Sequence, residues 1–284
     1  MGGVITMAAL TWDATEQRKY DLGISKVVLY KYYDTLYDAN YYDPSYKVDL
    51  WLGAAWNGVV NITESPEGGE PNDIYADNLL YASIRGTEKF AGSIDCFSFP
   101  DEFRSCIGGY SPIPGLSIGQ QKKERFALCY RTEIGQSNDP LVGYKIHIVY
   151  NCIANSSEDN YDTINDSPDV DPMSFDFSCV PEPIIFSSIY QTTHQTMPSL
   201  SPVSHLVIDS TKINPTSLRI IENVLYGTGD SDDGVRNARL IFPGELHRYL
   251  ARTIYVNGEH YTLEPYTFPI YAVGSIPDTV ETLT

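Results

Sequence analysis

The chain has 284 residues, 42% of them hydrophobic, so it can bury a sizeable core and is not a disordered segment. Its 37 acids outnumber its 19 bases for a formal charge of -18, which argues against tight nucleic-acid binding through a basic patch but not against DNA as a passing cargo. No apolar run approaches a membrane span, and Met1 to Leu10 lacks the basic start and full hydrophobic stretch of a signal peptide.

In chain order, the sequence predicts mostly strands, built from Val, Ile, Tyr and Phe and interrupted by Gly, Pro, Asn and Asp. The first covers Ile24 to Tyr33, after which the acid- and tyrosine-rich stretch from Asp34 to Pro44 reads as a long loop. Leu79 to Ile84 and Phe90 to Phe99 follow, with a turn at Arg85-Gly86 between them. Arg125 to Ile134 and Gly143 to Ala154 flank a polar turn at Gln136 to Pro140 and read as a hairpin. Lys145, His147 and Val149 alternate with Tyr144, Ile146, Ile148 and Tyr150, a period of two that suggests one wetter face. Asn155 to Pro172 is an acidic loop, and Met173 to Val180 and His205 to Ile208 are further strands.

One helix is expected. Asn214 is placed to cap it, Pro215 to open it and Gly227 to close it. Leu218, Ile221, Val224 and Leu225 fall on one stripe, which suits packing over a sheet. Beyond it, Thr228 to Gly234 is Asp-rich, and Arg252 to Val256 and Glu259 to Leu263 enclose Asn257-Gly258, a strong hairpin signal. Residues 228–284 therefore read as a C-terminal extension or small subdomain carrying a β-hairpin.

A search for chemistry finds no catalytic constellation. GxSxG, Walker-type and HExxH motifs are absent, so no enzyme activity and no cofactor are expected. The histidines His147, His194, His205, His247 and His260 lack metal-ligand spacing and read as ordinary strand or surface residues, so no metal is expected. Asp230 to Gly234 has the acids of a calcium loop but no closing Glu, and reads as a solvated turn. Glu64, Glu67 and Glu70 offer a carboxylate pair for glycoside chemistry, yet such pairs arise by chance in so acidic a chain. Cys96, Cys106, Cys129, Cys152 and Cys179 are odd in number and widely spaced, which points to reduced, buried thiols. Eight of the 22 tyrosines lie between Tyr20 and Tyr46, a cluster that suits a protein interface, a sugar-binding face or simple strand propensity.

Six stretches occur in order: Leu10 to Asp13 with Arg18 to Tyr20 and Val28 to Tyr30; Ala55 to Gly58 with Thr63 to Pro66 and Ile74 to Asn78; Phe99 to Phe103; Ile118 to Gln121 with Leu128 to Thr132 and Gly143 to Lys145; Ile164 to Pro168; and Ile208 to Lys212 with Leu225 to Gly227. None is specific alone, but together, over about residues 8 to 227, they resemble tail tube (major tail) proteins of long-tailed bacteriophages. The resemblance implies a tail tube domain over residues 1–227 in which 34–51, from Asp34 to Trp51, is an inserted loop, and the tail after Gly227 departs from the pattern.

The resemblance implies a mainly β fold: a β-sandwich or barrel with one flanking α-helix, whose inner sheet joins its neighbours in a ring. It implies a structural virion protein whose hexameric rings stack into a tube that conducts DNA. Its partners would be copies of itself, the tape measure protein, the tail terminator and the distal tail protein, with no membrane. Its location would be the virion tail, and the host cytoplasm during assembly. Acids on alternating strand positions are then candidates for the channel wall: Asp95, Glu124, Glu133, Asp176 and Glu182. Trp12, Arg18, Tyr20, Tyr30, Trp56 and Arg131 are candidates for subunit contacts; core packing is the alternative for the four aromatics, on equal terms for Trp56, and a surface ion pair the alternative for the two arginines. A carbohydrate-binding β-sandwich adhesin, or the tube subunit of a domesticated phage-like particle, are the rival readings.

Overall fold

The computed structural model describes residues 18–33, 50–66, 68–69, 71–85, 88–113, 115–136, 139–155, 171–181, 202–228, 237–244, 246, 249–250, 252–256 and 259–263. It is mainly β, with twelve strands, a 3-10 turn and one long helix among these residues. The strands are β1 (Lys19–Tyr33), β2 (Leu50–Ala55), β3 (Val59–Glu64), β4 (Pro71–Ala76), β5 (Leu79–Arg85) and β6 (Ala91–Cys96). After the 3-10 turn at Asp101–Ser105 come β7 (Phe126–Gln136), β8 (Asp139–Ala154), β9 (Met173–Cys179) and β10 (His205–Asp209). Helix α1 (Pro215–Tyr226) precedes a last hairpin, β11 (Arg252–Val256) and β12 (Glu259–Leu263).

Eight strands form one antiparallel sheet in the order β2-β1-β7-β8-β9-β6-β3, with β10 also paired to β8. Long β8 makes this branching possible. Its residues from Lys145 to Val149 pair with β10, and Cys152 to Ala154 pair with β9. Between the two stretches Asn151 takes a left-handed φ of 55°, a conformation Asn tolerates better than most residues. The side-chain alternation changes phase there: Val149 faces one core, and Cys152 and Ala154 face the same core. The sheet also bends back on itself, and the Trp56 amide, between β2 and β3, donates to the Val27 carbonyl of β1 at 2.8 Å.

The central strands are buried on both faces. On one side Val27, Leu29, Phe126, Leu128 and Tyr130 meet Ile94, Phe175 and Phe177 from the curled half of the sheet. Phe103 is driven into this core by the 3-10 turn and is fully buried. Its ring centre lies 4.5 Å from that of Trp56, 5.3 Å from Phe126 and 5.2 Å from Phe175, distances typical of aromatic packing. On the other side Val28, Tyr30, Cys129, Ile146, Ile148 and Tyr150 meet α1 through Ile221, Val224 and Leu225. This is a β-sandwich with one flanking helix, as the sequence leads one to expect.

Helix α1 begins and ends where its residues dictate. The Asn214 side chain accepts from the Thr216 amide at 2.9 Å, Pro215 opens the helix, and Gly227 closes it with φ 76°. Described residues beyond Gly227 also pack on this body: Leu240, Ile241 and Tyr249 are buried in the helix-side core, and the Gly53 amide donates to the Ala238 carbonyl at 2.9 Å, which covers the outer edge of β2. Leu50 to Ala55 is an edge strand of the main sheet.

Candidate functional site

The β4–β5 hairpin is bonded only within itself among the described strands. Asp77 and Asn78 turn it with φ values of 51° and 63°, the two positive angles that a type I′ turn needs. All of β4 is exposed. The hairpin carries Ile74, Tyr75, Leu79, Leu80, Tyr81 and Ile84 on its surface, at exposures of 41 to 78%. So many large apolar side chains on an isolated ribbon form a surface suited to association.

The acids proposed for a channel wall divide into groups. Asp95 and Asp176 lie on the outward face of β6 and β9, where Ile94, Cys96, Phe175 and Phe177 point inward. Asp95 is opposite Ser174, and Asp176 is opposite Ser93. On β3, Asn61 and Thr63 continue the face, and Asn61 Nδ2 reaches Asp95 Oδ2 at 3.3 Å. The result is a face of short polar side chains bearing two carboxylates. Glu124 lies elsewhere: it forms an ion pair with Lys31 at 2.9 Å and accepts from Ser105 at 2.7 Å. Glu133 is on β7, two residues from Arg131 and on the helix side of the sheet. Glu182 lies outside the described residues.

Tyr30, a candidate for a subunit contact, is instead a core residue, and Trp56 follows its core-packing alternative. Tyr30 is fully buried and its hydroxyl donates to the Leu225 carbonyl at 2.6 Å. Trp56 is also buried, with Nε1 donating to the Ser98 carbonyl at 2.8 Å. The polar tip that suits an aromatic residue to an interface is satisfied here by backbone inside the fold. Arg131 acts within the chain: its guanidinium lies 3.3 Å from the Tyr144 ring centre and 3.8 Å from Glu222 of α1. Arg18 is exposed, and Tyr20 is half exposed beside Gly135. Trp12 lies outside the described residues.

A second cluster was hidden by sequence separation. At the end of β3, Glu64 meets His147 of β8 and His205 of β10. Glu64 Oε1 is 3.3 Å from His147 Nδ1 and 3.5 Å from His205 Nε2, and the two imidazole nitrogens are 3.1 Å apart. Tyr130 donates its hydroxyl to the same carboxylate oxygen, and Thr132 Oγ1 is 3.0 Å from His147 Nε2. The His147 ring lies parallel to that of Tyr130 at 4.8 Å, and Phe90 packs 4.8 Å from His205. The hydrogen bond with His147, aided by that of Tyr130 and opposed by partial burial, lowers the Glu64 pKa to about 2. Burial pulls His205 below the usual histidine range, against the attraction of Glu64. Burial and then the adjacent Glu64 keep Tyr130 firmly protonated.

In the sequence these residues gave little signal. Glu64 pairs by spacing only with Glu67 and Glu70, both outside the described residues, and the histidines share no ligand spacing. The alternation of β8 put His147 with Val149 on the face that proves to be the sandwich interior, but nothing local points to His205 as its neighbour. The Asp230 to Gly234 turn is outside the described residues. No protein-family model matches the chain, and no curated protein does.

Proposed function

We propose that the chain is a tube-forming structural subunit of the tail tube class of long-tailed bacteriophages, assembling into hexameric rings that stack around a DNA channel. The observation that carries this reading is the β4–β5 hairpin. A two-stranded ribbon is marginal in water, and this one exposes Leu79 at 72% and Tyr81 at 78%. Neighbouring copies supply the cover it needs. The ordered set of sequence resemblances and the mainly β, single-helix architecture agree with this reading.

The outer face of β3, β6 and β9 is the favoured channel wall. Its side chains are short, so it presents few holds, and Asp95 and Asp176 give it the sign of phosphate. Repulsion from such a wall acts over about 8 Å at physiological salt. The partners of the resemblance, namely tape measure, terminator and distal tail proteins, belong to this proposal, as do the virion and host-cytoplasm locations.

Electron microscopy of the purified full chain tests it directly. Rings or hollow tubes are expected, and Leu79→Asp with Tyr81→Asp should abolish them while far-UV circular dichroism stays unchanged. A wild-type protein that stays monomeric at high concentration and binds glycans overturns the proposal in favour of an adhesin. Asp95→Lys with Asp176→Lys should leave tubes intact and impair DNA delivery; undiminished delivery refutes the assignment of this face.

A further inference from the structure

We propose that Glu64, His147 and His205 form a binding site for a divalent transition-metal ion of the zinc type, which ties the end of β3 to β8 and β10. Three donor atoms from three strands converge: one carboxylate oxygen and two imidazole nitrogens, separated by 3.1, 3.3 and 3.5 Å. Bonds of about 2.0–2.1 Å at tetrahedral angles place ligand atoms about 3.3 Å apart, which is the mean of these spacings. The circle through the three atoms has a radius of about 1.9 Å, so an ion lying about 0.7 Å off their plane reaches all three at bonding distance.

The surroundings fit this use. With an ion bound, the His147 tautomer that donates Nε2–H to Thr132 turns its Nδ1 lone pair onto the ion beside Glu64 and His205. Tyr130 donates to the ligating oxygen itself and so orients the carboxylate, as outer hydrogen bonds do for ligating side chains. The side chains of His147, His205 and Glu64 keep 12, 17 and 33% of their surface, which gives an ion a route in and leaves a fourth position for water. Two nitrogens and a carboxylate suit zinc better than the all-oxygen preference of calcium or magnesium. In the ion-free protein His147 Nδ1–H lies against both Glu64 and His205 Nε2. The ion takes the place of that proton, which passes through solvent to His147 Nε2 where Thr132 accepts it, and each ring turns its lone pair onto the ion.

The test is titration of the full-length, tag-free protein with Zn²⁺ after treatment with a chelator, followed by calorimetry and thermal melting. One equivalent should bind with a dissociation constant of about micromolar or tighter, and a hundredfold excess over that constant should raise Tm by roughly 5–10 °C. Co²⁺ should give the visible absorption of a four-coordinate site, bleached by Zn²⁺. Glu64→Gln and His205→Gln should each weaken binding more than about 100-fold, and Thr132→Val by about 10–100-fold with the Co²⁺ spectrum retained. Circular dichroism verifies that each variant folds, and Thr132→Val serves if a ligand variant does not. Absence of stoichiometric binding to the wild type, or binding by all three variants equal to the wild type, overturns the assignment.

Discussion

Replacing Tyr30 with Phe removes one oxygen atom and tests how the helix is held to the sheet. The Tyr30 hydroxyl donates to the Leu225 carbonyl at 2.6 Å, and both residues are fully buried. Leu225 sits in the last turn of α1, where carbonyls have no partner within the helix. Deleting the donor therefore strands a buried acceptor, which costs about 1–3 kcal/mol. Burial also pushes the Tyr30 pKa up, so the hydroxyl stays a donor across the accessible pH range. Equilibrium urea unfolding followed by tryptophan fluorescence is the assay. With a slope of about 2–3 kcal/mol/M, a loss of about 2 kcal/mol lowers the midpoint by about 0.7–1 M. Tyr20→Phe, at a half-exposed position, should stay within about 0.5 kcal/mol of the wild type. A Tyr30→Phe midpoint equal to that control, at unchanged slope, refutes the reasoning, because the carbonyl would then have another partner.

Tyr150→Phe should behave similarly, since its hydroxyl donates to the buried Ile241 carbonyl at 2.9 Å; unfolding in urea checks it. Phe103→Ala should cost about 3–5 kcal/mol, read as a lowered Tm, because it empties the centre of the aromatic core. Gly92→Ala should cost about 1–3 kcal/mol by the same measurement, since a Cβ there falls 2.3 Å from the Thr63 carbonyl oxygen and forces β3 away from β6. The five buried thiols should resist a disulfide reagent at pH 8 and react fully in guanidinium, because burial raises Cys106 and Cys129 to about 12. Rapid labelling of the native protein contradicts that.

The sequence was most informative where local chemistry and tertiary packing agree. Asn214, Pro215 and Gly227 bounded the helix, and Asn257-Gly258 sits between β11 and β12. Long strands with apolar faces, such as β7 and β8, were legible for the same reason. Strands β2, β3 and β4 were not. Gly53, Ala54 and Ala55 carry little strand propensity, Pro71 heads β4, and Asn61 and Asp73 interrupt any apolar period. The pairing of β2 and β3 is set by partners distant in sequence, and that of β4 by its turn at Asp77 and Asn78. Tyr30 and Trp56 show a second limit: an aromatic with a polar tip serves an interface or a core equally well, and only the location of an acceptor decides. The Glu64, His147 and His205 cluster shows a third, since each residue reaches it on a different strand and no spacing records the convergence.

The pairing of β1 with β7 has a consequence for how the chain acquires its shape. Everything from β2 to the 3-10 turn must emerge from the ribosome before Val28 and Leu29 can meet Cys129 and Leu128. Closing a loop of about 90 residues costs about 4 kcal/mol before any of that pairing is rewarded. The nascent chain thus waits with one flank of its first long strand unsatisfied, and the slow step of folding should be this late closure rather than formation of any hairpin.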